Sequence, residues 1–347
     1  MSKYNTLRWN KPKLSYLIER KTMWTILVLL VLVITGAILS IGVGSKYIAP
    51  MEVINTIIGK GTSMQEVIVW KLRMPRILIA LLVGAALAAS GAVLQGLIRN
   101  PLASPDVTGI TEGASLGTVL FLFFLTDRLS IHWLPLASII GAFIVTLLLY
   151  VLSWKNGASP LRMILIGTGL SAAFKSISYM FLMAGPLILA SKSLTFMTGS
   201  VYGASWEKDV FTLLPWLIIL LPLTWLMARH INVQALGEDV AGSAGARVKL
   251  QQLFLLLLSV SLAGAAVAIG GAIAFVGLMA PHMARKLVGS SFGGLLPVSA
   301  LLGGLIVLIA DLAARTLFAP LDIPAGVFTA VIGAPFFLYM LYRHRNQ

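Results

Sequence analysis

Long apolar runs, separated by short polar segments, repeat along the whole chain. Most of them hold about 20 residues, the length that an α-helix needs to cross the roughly 30 Å hydrocarbon core of a bilayer. Ten runs are predicted, the eighth of them short, at 23–43, 75–98, 107–125, 133–154, 161–184, 210–228, 250–269, 272–284, 295–317 and 325–341. Backbone amides in lipid must be bonded within their own segment, and alternation of period two is absent. The runs therefore predict helices rather than barrel strands.

Composition supports this interpretation and defines the parts of the chain. Of its 347 residues, 58% are hydrophobic and 11% are charged, whereas a soluble domain carries roughly 25% charged residues. We predict an all-α polytopic membrane protein with a basic N-terminus over 1–22, one ten-helix domain over 23–341 and a tail over 342–347. Counting ten crossings places most Lys and Arg residues on the side of the N-terminus, which predicts that both termini are cytoplasmic.

Several classes of function are disfavoured by the residues that the chain carries. The formal net charge of +14 does not indicate nucleic-acid binding, because the basic residues are scattered among apolar runs. Cysteine is absent from the sequence, as are the Gly-Lys-Ser/Thr and His-Glu-x-x-His motifs. We therefore predict no catalytic, cofactor-binding or metal-binding residue, and any ATP that powers the protein would be bound by another chain.

Small residues recur at helical spacing on two faces, formed by Gly84, Ala88 and Gly91 and by Gly109, Gly113 and Gly117. In lipid, the packing of close helices itself drives their association. We predict that both faces are contacts between helices.

Three segments carry a resemblance to a known family. Residues 73–117 contain Arg-Met-Pro-Arg, Val-Gly-Ala-Ala-Leu-Ala-Ala-Ser-Gly-Ala-Val-Leu-Gln and Arg-Asn-Pro-Leu-Ala-Ser-Pro. Residues 271–285 read Gly-Ala-Ile-Ala-Phe-Val-Gly-Leu-Met-Ala-Pro-His-Met-Ala-Arg, and 310–337 include Ala-Asp-Leu-Ala-Ala-Arg, Ile-Pro-Ala-Gly-Val-Phe-Thr-Ala and Gly-Ala-Pro-Phe-Phe. In this order, they closely resemble the FecCD-type permease subunits of iron-siderophore and cobalamin ABC importers. The resemblance covers nearly the whole chain from the second helix onward.

The resemblance implies a bacterial cell-membrane importer in which two permease subunits, identical or paralogous, pair in lipid. Each would have ten helices, including two sets related as inverted repeats. Two cytoplasmic ATPase subunits would drive transport, and an extracellular or periplasmic binding protein would deliver the substrate. An iron-siderophore complex is the expected cargo, with cobalamin and haem as alternatives.

Two rival classes of protein are an ion-coupled secondary transporter and a polytopic membrane enzyme. Both normally need ionisable groups within the spans. Only Lys175 and Asp311 are clear candidates for such a position, which disfavours both rivals.

Three arginines are candidate docking residues for the binding protein. Arg73 and Arg76 are three residues apart at the outer end of the second helix, so they share a helix face. The resemblance matches both of them, and Arg315, to arginines that face carboxylates of the binding protein, with which a guanidinium pairs bidentately. The alternatives are interfacial anchoring for Arg73 and Arg76 and pairing with Asp311, four residues earlier, for Arg315.

The polar stretch 230–249 is the candidate contact with the ATPase, because the resemblance implies short helices that dock on that subunit. The matching residues are Ala235, Leu236, Gly237, Glu238, Asp239, Ala241, Gly245 and Ala246. The alternative is a plain solvated loop.

Lys175 lies in the predicted fifth helix, which lines the translocation path in the family. We expect its side chain to face the pore and to favour anionic cargo. The alternative is a structural lysine that reaches the outer interface.

Overall fold

The computed structural model describes residues 4–10, 13–44, 46–126, 128–153, 160–184, 194, 196–243, 245–319 and 321–344. Its helices are α1 (Arg20–Gly42), α2 (Pro50–Ile57), α3 (Ser63–Glu66), α4 (Met74–Ile98), α5 (Ile110–Phe124), α6 (Leu134–Ser153), α7 (Pro160–Ala184), α8 (Phe211–Leu226), α9 (Ala228–Gln234), α10 (Glu238–Ser243), α11 (Val248–Gly270), α12 (Val276–Val288), α13 (Phe292–Leu317) and α14 (Ala325–His344). Two π-helical segments, Val67–Arg73 and Trp206–Val210, lead into α4 and α8, and a 3₁₀ turn, Ile131–Trp133, leads into α6.

Eight of these helices, α1, α4, α6, α7, α8, α11, α13 and α14, are long and apolar enough to cross a membrane, and α5 is a shorter apolar helix. The prediction of an all-α polytopic membrane protein is confirmed at this level. The predicted eighth run, 272–284, is shifted, because the helix begins only at Val276. The backbone of Gly271 (φ 69°) and Phe275 (φ 66°) is left-handed, and this interrupts the helical path between α11 and α12.

The basic N-terminus contains two strands that the sequence analysis did not predict. Strands β1 (Tyr4–Asn10) and β2 (Lys13–Glu19) pair antiparallel, with Tyr4 opposite Glu19 and Asn10 opposite Lys13. Residues 13–16, Lys-Leu-Ser-Tyr, do alternate in the way that is typical of a strand, but Leu17 ends the alternation. The pattern is short beside the long apolar runs that follow it.

Helix α4 lies at the centre of the bundle and packs against α11, α12 and α13. A side chain at Gly84 would overlap the carbonyl of Gly303, and one at Gly303 would overlap the carbonyl of Gly84. Two turns further along, a side chain at Gly91 would overlap the carbonyl of Gly277. Helix backbones therefore touch along this face, and the prediction of a helix contact there is confirmed.

The second small face joins α5 to α6. Side chains at Gly113 and Gly141 would each overlap the other residue's carbonyl oxygen or the atoms beside it, and one at Gly117 would overlap the carbonyl of Ala137. Gly109 precedes the first turn of α5 with φ 83°, a conformation that residues with a Cβ rarely adopt. This face is also confirmed as a helix contact.

The substitution Gly91→Ala is expected to lower the free energy of unfolding by about 1–3 kcal/mol, because the new methyl group forces α4 away from α12. Alanine is the better helix former by about 1 kcal/mol, so propensity alone predicts the opposite sign. An SDS unfolding titration of the purified chain measures the change. Gly293→Ala in α13 is the matched control, since a Cβ there meets no atom within 4 Å. A loss of stability that is equal in both variants would contradict the packing explanation.

Candidate functional site

Arg73 is buried at the end of the π-helical segment that leads into α4. Its Nη1 donates to the carbonyls of Ile41 and Gly42, and its Nη2 donates to the carbonyl of Lys46 at 2.6 Å. The last carbonyls of a helix have no partner within that helix. Arg73 therefore satisfies the C-terminal end of α1 and holds it against the start of α4.

Arg76 lies one turn later and divides its donors between two carboxylates. Its Nε donates to both oxygens of Asp311, at 2.9 and 3.1 Å, and its Nη2 lies 2.8 Å from Asp311 Oδ1. Its Nη1 and Nη2 donate to Asp322, at 3.3 and 2.7 Å. The ring of Tyr202 completes the site, with its centroid 5.4 Å from Arg76 Cζ.

Arg315 lies one turn after Asp311 on α13 and reaches the same end of α1 as Arg73 does. Its Nη1 donates to the carbonyl of Val43 at 2.9 Å, and its Nη2 donates to the carbonyl and the hydroxyl of Ser40. Its Nε is 3.8 Å from Asp311 Oδ2 and has no hydrogen-bond partner. The pairing of Asp311 with Arg315 along the helix is thus present, but Asp311 is held mainly by Arg76.

The structure brings the three predicted arginines together in one cluster, which we call the arginine cluster: Arg73, Arg76, Arg315, Asp311 and Asp322. Three guanidinium groups face two carboxylates, which leaves one formal positive charge in excess. Asp322 was not predicted as a site residue, although it directly precedes the Ile-Pro-Ala-Gly motif. Every arginine of the cluster is bonded to groups of its own chain.

Three loops meet beside the arginine cluster through close backbone contacts. The backbone N–H of Gly326, at the start of α14, donates to the carbonyl of Gly199 at 2.8 Å, and that of Ala272, in the loop between α11 and α12, donates to the carbonyl of Phe196 at 3.2 Å. A side chain at Gly326 would overlap the carbonyl of Thr198. The loop that carries Tyr202 and the loop that carries Asp322 are therefore joined three or four residues from the cluster.

Lys175 is exposed on α7, a helix that the rest of this chain covers only sparsely. Glu112, in the first turn of α5, lies close enough for its charge to interact with those of Lys175 and Asp106. Asp106 also accepts a hydrogen bond from the backbone N–H of Phe275, at 3.1 Å. Glu112 was not among the ionisable residues predicted to lie in the spans, although it stands inside the third apolar run.

The stretch 230–249 includes most of α9 and all of α10, so it is not a plain loop along its whole length. It lies at the opposite end of α4 from the arginine cluster, because Arg99 follows that helix and donates to the carbonyl of Gln234 at 2.6 Å. Asn232 Oδ1 accepts from the backbone N–H of Phe292 at 2.8 Å. These bonds and the buried Ile231 attach α9 firmly to α4 and α13.

The tip of this stretch presents apolar side chains outward. Leu236 is 71% exposed and Val240 is 52% exposed, whereas Ala241 is fully buried. The other predicted residues follow: Ala235, Asp239 and Gly245 are exposed, Ala246 is half-buried, Gly237 has φ 123°, and Glu238 begins α10. Two exposed large aliphatic side chains four residues apart on a polar segment are consistent with a surface for a partner protein.

Metal ligation is not indicated by the part of the chain that the structure describes. Within it, no three His, Asp or Glu side chains are placed together to hold a metal ion. The ring of His282 packs edge-on against Phe336, with the centroids 5.6 Å apart. This contact gives the histidine a structural role.

Comparison with known proteins shows to which family this chain belongs. The sequence matches the FecCD transport family over residues 29–343. The chain belongs to the FecCD transport family. The predicted resemblance is thereby confirmed, and the chain is a transport component of the bacterial membrane.

Two curated FecCD relatives align along almost their whole length. The probable siderophore transport system permease protein YfhA of Bacillus subtilis is 49% identical over 334 residues, covering 95% of this chain and 97% of the relative. The achromobactin transport system permease protein CbrC of Dickeya dadantii is 45% identical, covering 99% and 98%.

A solved structure supports the fold of this FecCD permease. A chain described as an inward-facing conformation of a metal-chelate type ABC transporter matches with a TM-score of 0.78 at 31% identity, covering 92% of this chain and 99% of that chain. The prediction of an ABC importer permease is confirmed by these similarities taken together.

Proposed function

We propose that this FecCD permease imports iron-siderophore complexes as the membrane subunit of an ABC importer. The observation that carries the proposal is its similarity, over nearly the full chain, to permeases named for siderophore and achromobactin transport. Cobalamin and haem are the alternative cargoes. The mechanism is alternating access, in which ATP hydrolysis by partner chains changes the side to which the pore opens.

In this proposal the chain crosses the membrane ten times. Helices α5 and α12 complete the eight long spans, and both termini lie in the cytoplasm, on the side that holds most of the basic residues. The single domain extends over 23–341, and two sets of its helices are related as inverted repeats. The arginine cluster then faces outward, and the stretch 230–249 faces the cytoplasm.

Each partner in the proposal has a matching surface. A second permease subunit, identical or paralogous, covers the exposed apolar side of α7. One of the two ATPase subunits docks at the tip formed by Leu236 and Val240, because exposed aliphatic groups gain most from burial in a partner. A substrate-binding protein docks at the arginine cluster, which offers guanidinium groups to carboxylates.

Within the arginine cluster, the contacts favour Arg76 as the residue that reaches the binding protein. Arg73 and Arg315 donate hydrogen bonds to backbone carbonyls at and just after the end of α1. Arg76 shares donors with a carboxylate, Asp322, whose side chain is 32% exposed. In the proposal, Arg73 and Arg315 support docking by holding α1 in place, and Arg76 makes the contact.

Lys175 is proposed to face the translocation path, where a positive charge favours an anionic ferric complex. Its exposure on α7 and its neighbour Glu112 support a position in a wet, polar environment. Lys175→Ala is expected to lower uptake of anionic ferric siderophores several-fold and to leave neutral ones unchanged. Competition assays between the two substrate types measure the preference, with Lys208→Ala as a control. Unchanged preference in Lys175→Ala would contradict the assignment.

Radioiron uptake tests the cargo. Cells deleted for this chain are supplied in turn with a panel of ferric siderophores, and separately with labelled cobalamin and haem. Loss of uptake for one chemical group of siderophores, restored by the intact chain, is the expected result. Loss of cobalamin or haem uptake instead would show that this compound, and not an iron-siderophore complex, is the cargo. Uptake that survives ATP depletion but stops when ion gradients are dissipated would indicate a secondary transporter and overturn the proposal.

A further inference from the structure

Arg76 connects the first turn of α4 to two loops. Through Asp322 it holds the loop between α13 and α14, and through the ring of Tyr202 it holds the loop before α8. Both loops are also tied to each other, since Gly326 donates to the carbonyl of Gly199. Releasing Arg76 from Asp322 therefore loosens both loops at once.

The two carboxylates that bind Arg76, Asp311 and Asp322, differ in how readily a carboxylate from outside can displace them. The side chain of Asp311 is 1% exposed and pairs with two arginines, whereas Asp322 is 32% exposed and pairs with Arg76. A partly exposed pair contributes little to stability, because water replaces much of the lost interaction. A carboxylate from outside can therefore displace Asp322 but not Asp311.

We propose that Asp322 occupies the position on Arg76 that a carboxylate of the docking partner takes during docking. While Asp322 is bound to Arg76, it holds the loops that carry Tyr202 and Asp322 closed, and we call this contact the latch. The inference rests on the proposed function, in which a substrate-binding protein docks at this end of the bundle. When the partner's carboxylate takes the end-on position of Arg76, Asp322 leaves it. The loops that carry Tyr202 and Asp322 then open above the path through the bundle. Docking and opening are in this way parts of a single exchange of carboxylates.

The partner that fits this surface is a protein with an exposed Asp or Glu side chain within reach of Arg76. A guanidinium presents its donors in a planar fork that matches a carboxylate bidentately. The side-on donors of Arg76 stay with Asp311, so the charge that faces the partner is oriented before docking. A lysine of the partner would not make the same exchange, because an ammonium group offers no acceptor to the guanidinium.

The variant Asp322→Asn tests the latch, in the complete transporter reconstituted in nanodiscs. The probe is the substrate-loaded binding protein that supports uptake in the panel experiment. The variant weakens the bond between residue 322 and Arg76, with which the carboxylate of the binding protein competes. It is therefore expected to bind this protein about fivefold more tightly, which is the change in affinity that a partly exposed ion pair accounts for. Glu207→Gln, an exposed carboxylate outside the arginine cluster, is the matched control and is expected to bind like the unmodified chain.

A second readout follows the loop itself. The chain contains no cysteine, so Val201→Cys places a single thiol in the loop before α8, at a buried position. Asp322→Asn is expected to raise the rate at which a membrane-impermeant maleimide labels this thiol, without any binding protein. Unchanged or weaker binding by Asp322→Asn, or an unchanged labelling rate, would overturn the latch.

Arg76→Lys separates the failure of the latch from the failure of the docking proposal. Lysine keeps the charge that Asp311 needs and loses the fork. If Arg76→Lys binds the partner normally, Arg76 is not the docking residue, and the latch fails with it. If Arg76→Lys loses binding while Asp322→Asn is unchanged, docking at Arg76 stands and the latch alone is wrong.

Discussion

Replacing Asp311 by Asn is expected to lower the free energy of unfolding by about 3 kcal/mol. The carboxylate is buried between Arg76 and Arg315 and accepts from Arg76 through both oxygens. An amide of the same shape removes the negative charge and leaves two guanidinium groups facing each other in a site with little water. SDS unfolding of the purified chain measures the loss.

The control for this prediction lies on the same arginine. Asp322→Asn removes an equal charge from Arg76, but at a partly exposed position, so its cost is expected to stay below about 1 kcal/mol. Equal losses for the two variants would show that burial does not set the strength of these pairs. The cluster would then act only as a surface network.

The double substitution of Leu236 and Val240 by Asp is expected to abolish uptake and to weaken ATPase association by at least about 30-fold. Interface anchors of this type each contribute roughly 2 kcal/mol or more, and a carboxylate in the same position must be desolvated. Both side chains are exposed in the free chain, so folding is expected to survive. Co-purification of the ATPase, at graded concentrations, measures the affinity.

Leu129→Asp is the matched control for this double variant. Leu129 is also exposed, but it lies in the loop between α5 and α6. It is expected to leave ATPase affinity unchanged. A similar loss in the control, or normal ATPase binding by the double variant, would remove the tip of the 230–249 stretch from the coupling surface.

Most of the helices could be predicted from the sequence, because lipid imposes one strong condition on every span. A long apolar run has to satisfy its own backbone hydrogen bonds, and only a helix does so locally. The small faces on α4 and α5 were equally visible, since spacing alone places Gly84, Ala88 and Gly91 together. The start of α12 was not, because residues 272–275 are as apolar as the helix that follows them and only the left-handed backbone at Gly271 and Phe275 delays that helix.

The candidate site could be predicted only in part. Motif and spacing placed Arg73, Arg76 and Arg315 at one end of the bundle, and the structure brings them together. Their partners depend on contacts across more than 200 residues: Arg76 with Asp311 and Asp322, and Arg315 with Ser40. Spacing within one helix suggested Asp311 with Arg315, but the fork of Arg76 reaches Asp311 at shorter distance.

The sequence by itself determined that this protein is a helical membrane permease of the FecCD family, since apolar length and motif order need no tertiary information. Only the tertiary structure decided which charges are buried, which loops meet at Gly199 and Gly326, and which face of the 230–249 stretch points outward. The physical reason is that hydrophobic length acts along the chain, residue by residue. Pairing and burial of charges act between segments that are far apart in sequence, and they exist only once the helices have packed.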